Sequence, residues 1–122
     1  MILADTSIWV DHLRIADAAL TRLLDTGKVL THPFVIGALA LGNLRYRRRF
    51  LDIFNDLPRT AVASDWEVMQ VIERHELFGL GIGYIDAHLL TAVRLTFDAA
   101  LWTRDKRLLH AAGRLGVAAN HS

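Results

Sequence analysis

The chain has 122 residues, of which 52% are hydrophobic and 22% are charged, and it contains no cysteine. This length and apolar content predict a single folded domain over residues 1–122 and exclude a mainly disordered chain. The absence of cysteine excludes disulfide scaffolds, thiolate zinc sites, iron–sulfur clusters and cysteine nucleophiles. The formal net charge is +1, so overall charge does not by itself indicate a nucleic-acid-binding protein.

The N-terminal segment does not have the pattern of a targeting sequence. No basic residues precede its apolar run, and Asp5 interrupts that run at once. It is therefore neither a signal peptide nor a membrane span, and we expect a cytoplasmic protein that does not bind membranes. All basic residues except Lys28 and Lys106 are arginines. Arginine suits phosphate recognition, but a compositional bias of the source genome explains the preference equally well.

Apolar periodicity and capping residues predict short strands that alternate with helices. The predicted strands lie at 2–4, 29–31, 60–63, 99–103 and 117–118. The predicted helices begin near 8, span 17–27, 33–42 and 44–57, follow a Ser64/Glu67 capping box, and span 84–96 and 105–112. Alternation of this kind requires crossover connections, parallel strands and helices on both sheet faces. The predicted fold class is α/β, a three-layer α/β/α domain with a short central parallel sheet.

Acidic residues follow two of the predicted strands, at the edge of a parallel sheet where ligands bind. Asp5 follows the first strand, and Asp105 follows the strand that ends at Thr103. Asp86 lies in the first turn of a helix and shares a predicted apolar face with leucine and valine residues. A carboxylate on such a face must be paired, metal-bound or neutralised.

Each of these three acids also has a structural interpretation, as a turn residue, a helix cap or a complement to a helix dipole. A shared site is a second interpretation, because neighbouring carboxylates repel by about 4 kcal/mol per pair at about 4 Å with an effective dielectric near 20. A cation removes that cost. Oxygen ligands suit Mg²⁺ or Mn²⁺, and such ions can activate water and stabilise the leaving oxygen of a phosphodiester.

Four segments carry a resemblance to a known family: L-A-D-T-S-I-W-V-D, P-F-V-I-G-x-L-A-L-G, G-Y-I-D-A-H-L-L-T-A and L-W-T-R-D-K-R-L. In this order, which spans nearly the whole chain, they resemble the PIN domain of VapC-type toxins from bacterial toxin–antitoxin pairs. The resemblance implies a homodimeric endoribonuclease that depends on Mg²⁺ or Mn²⁺, cleaves structured RNA such as tRNA or rRNA, and is inhibited by a VapB antitoxin.

The resemblance also assigns site residues. It places three of the family's acidic ligands at Asp5, Asp86 and Asp105, with Thr6 and Thr103 as supporting hydroxyl residues. The family's second acidic position, a glutamate, is occupied by Ala38, which cannot bind a metal. Three explanations are open: an engineered substitution that allows a toxin to be expressed, a naturally degenerate member, or a nuclease that works with three carboxylates. We favour the first, because the residues around position 38 keep the family's pattern.

The basic cluster of Arg45, Arg47, Arg48 and Arg49 has two interpretations. Arg45, Arg48 and Arg49 bind RNA phosphates, or the cluster is the solvated face of a helix. The histidines are scattered without an i, i+4 pair, and we interpret them as surface or hydrogen-bonded residues.

Two function hypotheses follow. The first is a metal-dependent ribonuclease toxin that is inactive or weakened by Ala38. The second is a catalytically silent PIN-fold module that binds RNA or an antitoxin.

Overall fold

The computed structural model describes residues 1–119, and within them the chain forms three β-strands and seven α-helices. In chain order these are β1 (Ile2–Ala4), α1 (Thr6–Arg14), α2 (Ala18–Asp25), β2 (Val29–Leu30), α3 (Pro33–Ala40), α4 (Arg47–Asp56), α5 (Asp65–Arg74), α6 (Tyr84–Leu95), β3 (Ala100–Trp102) and α7 (Lys106–Leu115). Within these residues no helix is long and apolar enough to cross a membrane.

The strands form one parallel sheet in the order β2-β1-β3. In register, Ile2 of β1 lies opposite Val29 on one side and Ala100 on the other. Successive residues of a strand point to opposite faces, and both Leu3 and Ala4 are fully buried. Both faces of the sheet are therefore covered by helices, which confirms the predicted three-layer α/β architecture.

Most predicted helix starts are confirmed because their caps are local. Asp5 and Asp17 accept hydrogen bonds from backbone N–H groups in the first turns of α1 and α2. Ser64 and Glu67 form the predicted capping box of α5. Each such cap satisfies N–H groups that the helix itself leaves unpaired.

Two predicted strands were wrong in extent. No residue of the segment predicted at 60–63 belongs to a strand, and only the preceding Arg59 forms a bridge, with Thr31. The segment predicted at 117–118 contributes only a bridge between Ala118 and Leu101. After Thr60 the chain leaves the sheet, because the next N–H group, that of Ala61, donates to the Thr96 hydroxyl instead of to a strand.

The helix predicted at 44–57 begins later than expected, because Tyr46 has a left-handed backbone conformation with φ of 57°. Helix α6 also differs from the prediction. Its helical spacing predicts a solvent-facing stripe that includes His88 and Thr91, but both residues are buried. The His88 ring packs against Phe34 of α3, and its Nε2 lies 3.3 Å from the carboxylate of Asp65 at the start of α5. The whole central part of α6 is thus buried, and Asp86 lies at the start of that part.

Candidate metal and catalytic site

Asp5 is the most tightly held of the predicted site residues. It follows β1, is 6% exposed, and caps α1 by accepting a hydrogen bond from the Ile8 N–H group at 3.3 Å. Its Oδ1 also accepts a hydrogen bond from the Ser7 hydroxyl, and its Oδ2 accepts one from the Thr103 hydroxyl, both at 2.5 Å. Both oxygens of the carboxylate are therefore fixed in direction.

The same two hydroxyl groups connect Asp5 to the turn that follows β3. The Ser7 oxygen accepts a hydrogen bond from the Arg104 N–H group at 3.2 Å, and the Thr103 oxygen accepts one from the Asp105 N–H group at 3.1 Å. Because β1 and β3 are neighbours in a parallel sheet, their carboxyl ends lie side by side. The hydroxyl network thus links the two strand ends that carry Asp5 and Asp105.

Asp105 caps α7 from the exposed side of this edge. Its Oδ1 accepts hydrogen bonds from the N–H groups of Arg107 at 2.9 Å and Leu108 at 3.2 Å. Within residues 1–119 its Oδ2 has no hydrogen-bond partner, so that oxygen is available to a ligand.

Asp86 is half-buried in the first turn of α6, where its Oδ2 lies 3.4 Å from the Gly83 N–H group that donates to it. Burial raises the pKa of this carboxyl, the hydrogen bond from the Gly83 N–H group opposes that rise, and the charges of Asp105 and Asp5 add smaller increases. Asp86 is therefore within electrostatic reach of two acids from distant parts of the sequence.

The donor set has the chemistry of a site for a hard cation, since it offers oxygen atoms only and carries mutual repulsion that a cation would relieve. The carboxylates are not yet arranged as a metal-coordination site. Among residues 1–119, no group of three or more histidine, cysteine, aspartate or glutamate side chains is positioned to hold a metal ion together. The carboxylates would have to turn toward a common ion from their capping positions.

Ala38, the position at which the family pattern has a glutamate, is exposed on α3 and lines a groove together with Thr6. The groove has a volume of about 300 Å³, and Asn43, Leu44 and Arg45 form another part of its wall. Thr6 follows Asp5 directly in the chain, but none of the three carboxylates lines this groove. A longer side chain at position 38 has room to extend into the groove.

Comparison with known proteins identifies the family. No model of a protein family matches the chain. Ribonuclease VapC32 of Mycobacterium tuberculosis is 47% identical to it over 118 residues, which cover 97% of this chain and 95% of the relative, both in strain CDC 1551 / Oshkosh and in strain ATCC 25618 / H37Rv. Identity of this extent over nearly the full length of both proteins decides the assignment.

The chain belongs to the VapC ribonuclease family of PIN-domain toxins. The resemblance read from the four sequence segments is thus confirmed for the family and the fold. The supporting hydroxyl groups of this VapC chain are only partly those that the sequence indicated. Thr103 contacts Asp5, whereas Thr6 lines the groove and forms no side-chain hydrogen bond within residues 1–119.

Ser7 is the hydroxyl residue that sequence reasoning missed. It makes the second contact to Asp5 from two positions along the chain. A signal was present, because a serine two residues after an aspartate at a helix start commonly hydrogen-bonds locally to the cap.

The predicted basic cluster lies at the start of α4. Arg45, Arg48 and Arg49 are exposed, and Arg45 lines the groove that also contains Ala38. Within the described part of the chain, neither these three side chains nor that of Arg47 forms an ion pair or a hydrogen bond.

Two of the histidines, His32 and His88, are buried beside Phe34 and have polar partners, as the interpretation of the histidines as surface or hydrogen-bonded residues allows. His88 Nε2 lies 3.3 Å from the Asp65 carboxylate. His32 Nδ1 accepts a hydrogen bond from the Phe34 N–H group at 2.9 Å, while its Nε2 has no partner within residues 1–119. Burial, reinforced by the nearby His88 and Arg59, lowers the pKa of His32 to about 4. His32 is therefore a neutral, buried helix cap of this VapC fold.

Proposed function

We propose that this VapC chain is an endoribonuclease toxin that depends on Mg²⁺ or Mn²⁺ and acts on structured RNA such as tRNA or ribosomal RNA. The charges of Asp5 and Asp105 reach Asp86 and raise its pKa. The observation that carries the proposal is the hydroxyl network of Ser7 and Thr103, which joins the segments that carry Asp5 and Asp105. It occurs outside the carboxyl ends of β1 and β3, where parallel-sheet proteins bind their ligands. The catalytic unit would be one domain comprising residues 1–122.

Asp5, Asp86 and Asp105 would hold the cation through their carboxylate oxygens. When bound, the ion would supply Lewis-acid chemistry, favouring the ionised form of an attacking water and neutralising charge on the phosphate. The residues of the chain provide orientation. The hydroxyl groups of Ser7 and Thr103 fix both oxygens of Asp5, and helix α7 fixes Asp105 through its first N–H groups. These contacts hold the carboxylates in their capping positions, from which they would turn toward the ion as it binds.

We further propose that Ala38 leaves the chain with little or no activity. A methyl group offers no oxygen to a metal or to a water molecule, so one of the family's four acidic positions is empty of donor atoms. The exposure of Ala38 in a groove shared with Thr6 supports this proposal, because a glutamate at position 38 could extend there without a clash.

The proposed partners follow from the family and from the charges. Arg45, Arg48 and Arg49 would contact RNA phosphates, since they are exposed and unpaired within residues 1–119. A VapB antitoxin would inhibit the toxin by covering the carboxylates with a cationic segment. The toxin would act in the cytoplasm, where its RNA substrates are found, and would form a homodimer.

A second candidate is a catalytically silent PIN-fold module that binds RNA or an antitoxin. Two observations favour it: Ala38 lacks a donor atom, and residues 1–119 contain no side-chain group positioned to hold a metal.

The experiment that separates the candidates compares this chain with its Ala38→Glu variant on total RNA, with Mg²⁺, with Mn²⁺ and with EDTA. The toxin proposal expects cleavage by Ala38→Glu only when a metal is present, and little or none by the parent chain. Ala38→Gln is the matched control, because it has nearly the same size and lacks the charge. Absence of cleavage by Ala38→Glu, with the fold intact, would favour the silent module.

A further inference from the structure

The exposed aromatic ring of Tyr46 lies at the start of α4 in an unusual backbone conformation. Its φ is 57°, in the left-handed region that glycine and asparagine tolerate and that bulky residues rarely adopt. Its side chain is 67% exposed and forms no capping hydrogen bond. Neither burial nor capping therefore offsets the strain of having a tyrosine at this position.

The charges around Tyr46 are equally unfavourable for the isolated fold. Arg47, Arg48 and Arg49 occupy the first turn of α4, where the helix dipole disfavours cations, and the turn contains no acidic residue. Asp52 and Asp56 line the same shallow surface depression but form no ion pair with these arginines. An unfavourable backbone conformation and unfavourable charges, with no contact in the fold that offsets them, are typical of a surface that binds a ligand.

Arg45 completes this surface from the other side of Tyr46. Its guanidinium carbon lies 5.5 Å from the centre of the tyrosine ring, within the range of a cation–π contact. The ring remains two-thirds exposed with Arg45 in this position, so ring surface is still available to a planar group. The arrangement offers an aromatic plane surrounded by four cations.

The groove described above adjoins this surface and is also lined by the residue that follows Asp5 in the chain. Arg45 forms one part of its wall, and Thr6 and Ala38 form another. Thr6 is the neighbour of Asp5, and Arg45 is the neighbour of Tyr46. A flexible chain bound at Tyr46 would therefore lie beside a groove that Thr6, the residue after Asp5, helps to line.

We propose that Tyr46 stacks on an unpaired base of the RNA substrate, while the flanking arginines contact the adjacent phosphates. This inference rests on the proposed function and specifies its substrate as RNA with a single-stranded segment next to the cleaved bond. An unpaired base offers a free face to an aromatic ring, whereas the bases of a duplex are already stacked on one another. Arginines precede and follow Tyr46 in the sequence, just as phosphates precede and follow each base in RNA.

The test measures binding of a short, labelled single-stranded RNA by fluorescence anisotropy, in EDTA so that no cleavage occurs. Tyr46→Asn removes the ring but tolerates the left-handed conformation, and Tyr46→Phe keeps the ring. Phe97→Asn is the control, because Phe97 is 95% exposed and precedes β3 at the opposite edge of the sheet. We expect Tyr46→Asn to weaken binding by roughly 5- to 100-fold, and Tyr46→Phe and Phe97→Asn to change it less than about twofold.

A second binding experiment uses the unmodified protein and changes the RNA instead. Its result therefore does not depend on whether a protein variant folds. Abasic residues replace the nucleotides of the RNA one at a time, and we expect one or two positions to show the same loss as Tyr46→Asn. Equal binding by Tyr46→Asn and the parent, or no effect of any abasic position, would overturn the inference and leave the surface to a protein partner. If the parent protein binds no RNA at all, the proposed function fails as well, so the two failures are distinguishable.

Discussion

Thr103 donates a hydrogen bond to Asp5 at 2.5 Å, although 98 positions separate the two residues in the sequence. The same hydroxyl oxygen accepts a hydrogen bond from the Asp105 N–H group. One buried side chain therefore connects the carboxylate at the end of β1 with the backbone N–H group of Asp105, the residue that caps α7. This contact makes Thr103 the structural centre of the proposed site.

Replacing Thr103 by valine removes both hydrogen bonds while keeping the shape of the side chain. We expect the free energy of unfolding to fall by about 1–3 kcal/mol, because the buried Asp5 carboxylate loses a donor and the Asp105 N–H group loses an acceptor. Urea denaturation in EDTA measures the loss. Thr103→Ser keeps the hydroxyl and should retain most of the stability; an unchanged stability of Thr103→Val would contradict a stabilising role of the two hydrogen bonds.

Replacing Asp86 by asparagine removes a charge that is repelled by Asp105 and Asp5. In EDTA we expect the variant to be at least as stable as the parent chain, because the cost of an ionised, half-buried carboxylate disappears. A divalent ion should reverse this order. Mn²⁺ at 100 times its Kd should stabilise the parent by about 2.7 kcal/mol and leave Asp86→Asn unchanged.

Thermal melts with increasing Mn²⁺ check this prediction, with Asp25→Asn as the matched control. Asp25 is an exposed aspartate at the end of α2, away from the site. A rise in Tm with Mn²⁺ that is the same for Asp86→Asn and Asp25→Asn would argue against a role of Asp86 as a ligand.

His32 predicts a dependence of stability on pH. Its pKa is about 4 in the folded protein and about 6.5 in a model peptide, so the unfolded chain binds the proton more readily. The stability that neutral His32 contributes is fully present above the pKa of the unfolded chain. It is lost as pH falls from about 6.5 toward 4. The loss amounts to at most about 3 kcal/mol.

The measurement is the free energy of unfolding across this pH range for the parent and for His32→Asn. Asparagine can still accept the hydrogen bond from the Phe34 N–H group, but it does not titrate. As pH falls, the free energy of unfolding should decrease more for the parent than for His32→Asn. A constant difference between pH 7 and pH 4 would contradict a neutral, buried His32.

Arg104 predicts a contribution to stability that depends on salt. Its guanidinium donates hydrogen bonds to Asp11 at 2.6 Å and Asp17 at 2.7 Å, and it lies 5.8 Å from the centre of the Trp102 ring. These groups are partly exposed, so we expect Arg104→Met to cost only about 1 kcal/mol at low ionic strength. The cost should shrink in high salt, as screening weakens the pairs. Urea denaturation at two salt concentrations tests this, and a salt-independent cost would point to packing on Trp102 instead.

The fold and three of the proposed ligands could be predicted because their signals are local. Strands that end in an aspartate, such as the one before Asp5, and caps such as Ser64 are encoded within a few residues. The conformation of Tyr46 could not be predicted, because its hydrophobic spacing continued the helix pattern into a turn. The burial of His88 depends on contacts with Phe34 and Asp65, which are distant in the sequence and which no local pattern reveals.

The contacts of the site were the least predictable part. Ser7 and Thr6 are neighbouring hydroxyl residues, and only the direction of the first turn of α1 brings Ser7 to Asp5. The coupling of Asp86 to Asp105 and Asp5 likewise requires the three-dimensional arrangement of α6 beside β3. The family pattern indicated which acids to examine, whereas the structure supplied the way in which they are held.

The most direct test of the central claim, that Asp5, Asp86 and Asp105 form one metal-dependent site for RNA cleavage, uses two proteins. The Ala38→Glu variant and the Ala38→Glu/Asp86→Asn double variant are incubated with total RNA and Mn²⁺, after circular dichroism has shown that both are folded. The account predicts cleavage by the single variant and none above background by the double variant. Equal cleavage by both proteins would contradict it.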